Sequence, residues 1–189
     1  MEADWSVEAG TSLPSIDVPW EGFVDLRRRP QAIAAVSEAA WHPALGEAIR
    51  CLNASASPLF TVKCDAWTLP ASEIDPDEFG ACRDEAREGF ASYIDMLQLD
   101  PRSFRSFDFH ERWVKALTGR LRKIVLRNGR VDSVVRNAAH GSQLGFGVTL
   151  YAAGCGVDAQ AAYAAWKAVL LSAVAATITV DFLPFRTGE

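Results

Sequence analysis

The sequence is poor in the residues that build metal sites and disulfide frameworks. It has four cysteines, Cys51, Cys64, Cys82 and Cys155, and none of them lies within four residues of another. The closely spaced Cys and His pairs that typically bind zinc are therefore missing. The first ten residues hold three acids and no base, which does not resemble an export signal. We therefore expect reduced thiols in a cytoplasmic protein, with no metal and no cofactor.

Familiar catalytic motifs are missing as well. The chain contains no H-E-x-x-H, no G-x-S-x-G and no Gly-Lys-Ser/Thr phosphate loop, which excludes the usual patterns of zincins, α/β-hydrolases and P-loop proteins. A net charge of −5 makes nucleic acid and anionic membrane surfaces poor partners for the protein as a whole. The longest uncharged apolar run, residues 168–180, is shorter than the roughly 20 residues of a membrane helix, so we expect no membrane partner.

Apolar and aromatic residues, by contrast, are abundant. They make up 49% of the 189 residues and include six tryptophans and ten phenylalanines, which is enough for a large core. We predict a single domain over residues 1–189. Residues 1–30 are predicted to form an arm held on the body by Trp5, Trp20 and Phe23, with a short strand at residues 16–18.

The order of local patterns indicates the fold class. Helices are predicted over residues 31–40, 44–52, 75–97 and 103–125, and strands over residues 58–69, 130–136, 145–152 and 178–183. In the strand at 58–69 apolar and polar residues alternate, with Lys63 on the polar side, until Trp67 interrupts that side near the end. The helices after Asp75 and Asp100 begin with an acidic cap followed by proline. This order predicts an α+β fold, with a small, mostly antiparallel sheet covered by helices in two layers.

One further helix, over residues 159–177, is predicted to be the centre of the fold. Lys167 is its only charged residue, and alanine is its commonest one. A helix that is apolar all round is normally buried all round, so we expect protein to enclose this Ala-rich C-terminal helix on every side.

Charge is segregated along the chain. Residues 65–100 hold ten acids and two bases, whereas residues 102–136 hold ten bases and three acids. One interpretation is that the two helices predicted there are antiparallel neighbours joined by exposed ion pairs. The other is a basic face that binds an anionic ligand, a nucleic-acid strand or an acidic partner. That face would comprise Arg112, Lys115, Arg120, Arg122, Lys123 and Arg127.

Two residues are candidates for catalysis. Cys155 lies between two glycines at the predicted start of the last helix, where the positive helix end lowers the pKa of a thiol. Asp158, however, is placed to cap that helix and would oppose a thiolate, and the glycines alone can indicate a tight turn. His110 could act as a base beside Asp108 or Glu111, or it could simply be a half-buried aromatic residue.

Three functions remain open at this stage. The first hypothesis is a non-catalytic binding or accessory module for a partner chain or a small ligand, acting as a homo-oligomer. The second is an enzyme acting on a small anionic metabolite, with a site near Cys155, His110 and the basic face. The third, which the net charge disfavours, is a nucleic-acid accessory protein.

Overall fold

The centre of the molecule is a mixed β-sheet in the computed structural model, which describes residues 1–10 and 13–179. Within that range its strands are β1 (Glu2–Glu8), β2 (Ile16–Val18), β3 (Leu59–Leu69), β4 (Glu88–Gln98), β5 (Gly129–His140) and β6 (Gln143–Gly156). Their order is β1-β5-β6-β4-β3, and β2 pairs with the far end of β5. β1 and β2 run parallel to β5, whereas the other neighbours are antiparallel. The α+β class predicted from the sequence is confirmed.

The α-helices in the described residues are α1 (Ser37–Trp41), α2 (Pro43–Leu52), α3 (Pro101–Arg105), α4 (Phe107–Leu121) and α5 (Ala159–Thr179). Two of the helix starts show why they form where they do. Asp100 accepts a hydrogen bond from the Ser103 amide at 2.9 Å, and the Ser106 hydroxyl accepts one from the Phe109 amide at 3.2 Å. Because Ser106 has extended backbone angles, the single helix predicted over residues 103–125 is divided into α3 and α4.

The main hydrophobic core lies between one face of the sheet and the helices α2, α4 and α5. Side chains alternate between the two faces of a strand, and Ile94 of β4 pairs directly with Leu150 of β6, so both belong to this face. The largest side chains of the helix layer are Trp113 of α4 and Trp166 of α5, both fully buried.

The glycines of β6 allow α5 to lie directly on the sheet. A Cβ atom added to Gly154 would lie 2.1 Å from the Trp166 backbone nitrogen, and one added to Gly156 would lie 2.5 Å from that of Ala162. Any larger residue at either position would push the helix away from the sheet.

The prediction that α5 is enclosed on every side is wrong. Trp166, Leu170 and Ala173 face the core, but Ala164 and Ala175 are exposed. Alanine hides this two-sidedness in the sequence, because it is common both in buried cores and on exposed helix faces. Of the described helices, α5 is long and apolar enough to cross a membrane, with 44% of its most apolar window buried. A core helix passes the same test, so this finding is weak evidence for a membrane span.

The helix predicted over residues 75–97 is also wrong. Asp75 does cap a helical turn, accepting a hydrogen bond from the Asp77 amide at 3.0 Å, but this 3-10 turn spans only Pro76–Phe79. Gly80 then takes a left-handed conformation at φ 58°, and the chain continues into β4. Strand β4 lies between β3 and β6 and is buried on both faces, so it lacks the alternation by which strands are recognised. The predicted pair of acidic and basic helices therefore does not form.

Two further differences concern the ends of the chain. The predicted arm contains β1, whose residues pair with Arg130 to Arg136 of β5 and which the sequence analysis missed. The strand predicted over residues 178–183 is wrong at its start, because Ile178 and Thr179 belong to α5. Its remaining residues lie outside the described part of the chain.

Candidate ligand-binding cleft

Cys155 is buried at the end of β6. Its side chain is 1% exposed and packs with Ile74 and Phe79. Burial, reinforced by the charge of Glu85, raises the pKa of this thiol to about 11. A thiolate is therefore disfavoured at neutral pH, and Gly154, which adjoins it, serves the packing of α5.

His110 is buried in α4 on the other side of the sheet. Its ring lies 6.0 Å from that of Phe146 in β6, which belongs to the helix-covered face. Cys155 belongs to the opposite face, nine residues further along the strand, a distance of about 30 Å at the usual rise per residue. The structure therefore does not bring these two predicted catalytic residues together.

The six predicted basic-face residues are distributed over several contacts. Arg122 donates to the Ala3 carbonyl at 2.8 Å, which fixes the end of α4 to β1. Lys115 pairs with Glu111 at 2.9 Å, and Arg120 donates to Thr179 at 2.9 Å. The remaining three are Arg112, which donates to the Asp108 carbonyl, Arg127, which contacts Cys82, and the exposed Lys123. None of the six lines any of the three cavities described for residues 1–10 and 13–179.

A polar pocket instead lies on the sheet face opposite the main core. Tyr93 of β4 pairs with Tyr151 of β6, and Asp95 pairs with Thr149 one step along. Lys63 of β3 lies beside Asp95 on the other side. With Ser15 and Arg136 they line a cavity of about 170 Å³. No single segment of the chain forms this pocket, because four strands each contribute one or two residues to it.

Asp95 is the buried acid at the base of the pocket. It is 6% exposed and accepts a hydrogen bond of 2.5 Å from the Thr149 hydroxyl. Burial raises the pKa of this carboxyl, and the Thr149 hydrogen bond and the charges of Arg136 and Lys63 oppose that rise only in part. Burial of the Tyr93 side chain and the charge of Asp95 raise the pKa of Tyr93 to about 12, so this phenol keeps its proton.

Arg136 lies across the pocket from Lys63. Its Nη1 forms an ion pair with Glu8 of β1 at 2.7 Å, and its Nη2 donates to the Tyr151 hydroxyl oxygen at 3.2 Å. Its Nε is buried, with no acceptor among the described residues. A buried donor without an acceptor is costly, so this guanidinium is suited to an additional oxygen ligand.

A larger cavity of about 360 Å³ adjoins the polar pocket at the outer edge of the sheet. Its apolar wall is formed mainly by Trp20, Val24, Leu26, Val36, Ile49 and Val62. The Trp20 indole donates to the Val62 carbonyl at 3.3 Å, and the Lys63 ammonium lies 5.6 Å from the centre of the indole ring. Lys63 and Tyr93 line both cavities, so we treat the two together as one cleft.

The residues that line this cleft were not predicted from the sequence, for an identifiable reason. Tyr93 and Asp95 were placed on a helix, where the sequence offers no partner for them. Lys63 was assigned correctly to the polar side of β3, and that alternation was the one available signal. In the described residues no group of three or more His, Cys, Asp or Glu side chains is placed to hold a metal ion.

The cleft must be interpreted from its own chemistry. No protein-family model, no curated protein and no solved structure gives a significant match to this chain.

Proposed function

We propose that this chain is a non-catalytic binding protein for a small ligand and that the ligand lies in the cleft formed by the two adjoining cavities. The observation that carries the proposal is that Lys63 and Tyr93 line both of them. A polar pocket continuous with an apolar one is typical of small-molecule sites, which are mainly apolar with a few polar groups that fix orientation.

The proposal includes a two-layer architecture with a mostly antiparallel sheet. In this arrangement the helices cover one sheet face, and the other face presents Tyr93, Tyr151 and Asp95 to a ligand. Rigid strands hold such side chains more accurately than loops do, which favours a preformed site. The homo-oligomeric state and the cytoplasmic location expected from the sequence stay predictions, as do the enzymatic and nucleic-acid alternatives.

A panel of four probes with the same phenyl body and different heads tests the proposal. The probes are phenylacetate, phenylphosphonate, phenethylamine and 2-phenylethanol, and calorimetry measures their affinities for the intact protein. We expect at least one to bind at millimolar concentration or better, with the phenyl ring against Trp20 and the head near Lys63. Replacing Trp20 by Ala or Lys63 by Gln should then weaken that probe about tenfold or more, the effect of roughly 1.4 kcal/mol.

The matched control is Lys167→Gln, which removes the same charge from an exposed position on α5. It should bind the probe as the unmodified protein does. Absence of binding by all four probes, or equal affinity in the Lys63→Gln and Lys167→Gln variants, contradicts the proposed function.

A further inference from the structure

The donors of the polar pocket outnumber its acceptors. Lys63 and Arg136 carry positive charge, and a protonated Tyr93 offers a hydroxyl hydrogen. Tyr151 accepts from Arg136 through its oxygen, so its own hydroxyl hydrogen remains available for a ligand. Asp95 is the one acid that lines the polar pocket, whereas Glu38 and Asp65 line the larger cavity beside it. Such a wall suits a ligand head that is rich in acceptor oxygens.

Asp95 is the group that such a head would meet at the base of the pocket. Among the described residues Asp95 forms no ion pair, and it accepts a hydrogen bond at Oδ1 from the Thr149 hydroxyl. An ionised Asp95 would repel an anionic head, because a like charge nearby disfavours the charged form of each group. A proton on Oδ2 would turn this carboxyl into a further donor.

We propose that the ligand head is an oxyanion, a carboxylate or a phosphate-type group, which Arg136 and Lys63 hold while Asp95 takes up one proton from the solvent. The inference rests on the ligand-binding function proposed above and names its ligand class. When the ligand binds, one proton moves from the solvent to Asp95, and no covalent bond of the ligand changes. A head oxygen that reached the Nε of Arg136 would supply the acceptor that this buried donor lacks among the described residues.

The charged and titratable groups around Asp95 come from every neighbouring strand. They are Lys63, Cys64 and Asp65 on β3, Tyr93 on β4, Tyr151 on β6, Arg136 on β5 and, behind Arg136, Glu8 on β1. Burial already raises the pKa of Asp95 in the free protein. An anionic head nearby raises it further, so affinity must increase as the pH falls through the range in which Asp95 gains its proton.

Calorimetry of phenylacetate in two buffers with different ionisation enthalpies measures this proton directly. The probe stays ionised well above a pKa of about 4, so it does not itself take up a proton. We expect uptake of up to about one proton per ligand, and an affinity that rises as the pH falls, by up to about tenfold per pH unit wherever Asp95 holds its proton in the complex but not in the free protein. Phenylphosphonate, measured in parallel, shows whether a carboxylate or a phosphate-type head is preferred.

The variant Asp95→Asn keeps the shape of the side chain and removes its charge. We expect it to bind phenylacetate at about pH 8 as tightly as the unmodified protein does at low pH, and with no pH dependence. Glu88→Gln, an exposed acid on the same strand, is the matched control and should keep the original pH dependence. If Asp95→Asn does not fold, proton uptake by the unmodified protein decides the question.

Two results overturn the inference while leaving the cleft a binding site. One is phenylacetate binding with no proton uptake at any pH. The other is a preference for phenethylamine that Asp95→Asn weakens tenfold or more, which would show an ionised Asp95 paired with a cation. Absence of binding by every probe overturns the proposed function itself, and this inference with it.

Discussion

Acid should unfold this protein partly through His110. The side chain is fully buried in α4, and its Nδ1 lies 2.9 Å from the Ser106 carbonyl oxygen. A carbonyl only accepts, so Nδ1 carries the hydrogen and Nε2 is unprotonated in the neutral ring. Nε2 is buried with no hydrogen-bond partner among the described residues, so a proton added there would be a buried charge.

The pKa of His110 indicates the size of the effect. Burial lowers it from 6.5 to about 4, and the hydrogen bond to Ser106 opposes this only in part. Between these two pH values the unfolded chain binds a proton that the folded chain does not, so stability falls as the pH falls. Each pH unit corresponds to about 1.4 kcal/mol, so the loss approaches about 3 kcal/mol at pH 4 and falls below about 0.5 kcal/mol above pH 6.5.

Urea denaturation of the unmodified protein and of His110→Gln across this pH range measures the effect. The carboxylates common to both proteins cancel in the difference between their unfolding free energies. We expect the advantage of the unmodified protein to shrink by about 3 kcal/mol from pH 7 to pH 4. A control variant, Phe109→Leu, should lose stability equally at every pH. If the His110→Gln difference is equally constant, His110 is not held neutral and the reasoning fails.

Three further predictions concern packing and reactivity. Gly154→Ala should destabilise the fold by about 3 kcal/mol or more. Gly119→Ala should instead stabilise α4 by about 1 kcal/mol, because apart from the adjoining backbone of α4 nothing lies within 4 Å of the new methyl group. Denaturation midpoints measure both, and equal effects would contradict the close approach of α5. Ala173→Glu should cost about 3–5 kcal/mol because Ala173 is fully buried, whereas Ala164→Glu should change stability by less than about 0.5 kcal/mol. Thiol labelling of the folded protein should modify Cys155 far more slowly than the exposed cysteines, and rapid labelling of Cys155 would show that its burial is incorrect.

Elements with strong local chemistry were predictable from the sequence. Alternation identified β3, and the short strand at residues 16–18 was placed correctly as β2. The strands predicted over residues 130–136 and 145–152 lie within β5 and β6, and Asn128 and Gly141, which adjoin the two ends of β5, have the positive φ angles typical of turn residues. In each case the information lies within a few consecutive residues, so no distant contact is needed to interpret it.

The cleft could not be predicted in this way, because it depends on strand pairing. Asp95 contacts Thr149 because β4 and β6 are neighbouring strands in one particular register. The two residues are 54 positions apart in the sequence. Strand β4 itself was mistaken for a helix, because both of its faces are buried and apolar residues recur along it without alternation. Once that strand was misassigned, Tyr93 and Asp95 had no predicted neighbours.

The largest buried side chains of α5 lie on one side of the helix, which its hydropathy pattern does not reveal. Trp166, Val169, Leu170 and Val174 are the large residues that face the core, and they recur at helical spacing. The opposite side is alanine-rich, and a scale that counts alanine as apolar therefore sees no difference between the two sides. Gly154 lies beneath the Trp166 backbone, so the helix axis comes close to the sheet there. Large side chains of the helix therefore fit beside the line along which helix and sheet touch, and not on it. The core side of the helix, however, also holds the buried Ala162, Ala173 and Ala176, and Ile178 is exposed. Neither hydropathy nor volume read along the sequence therefore shows which alanines of α5 lie in water.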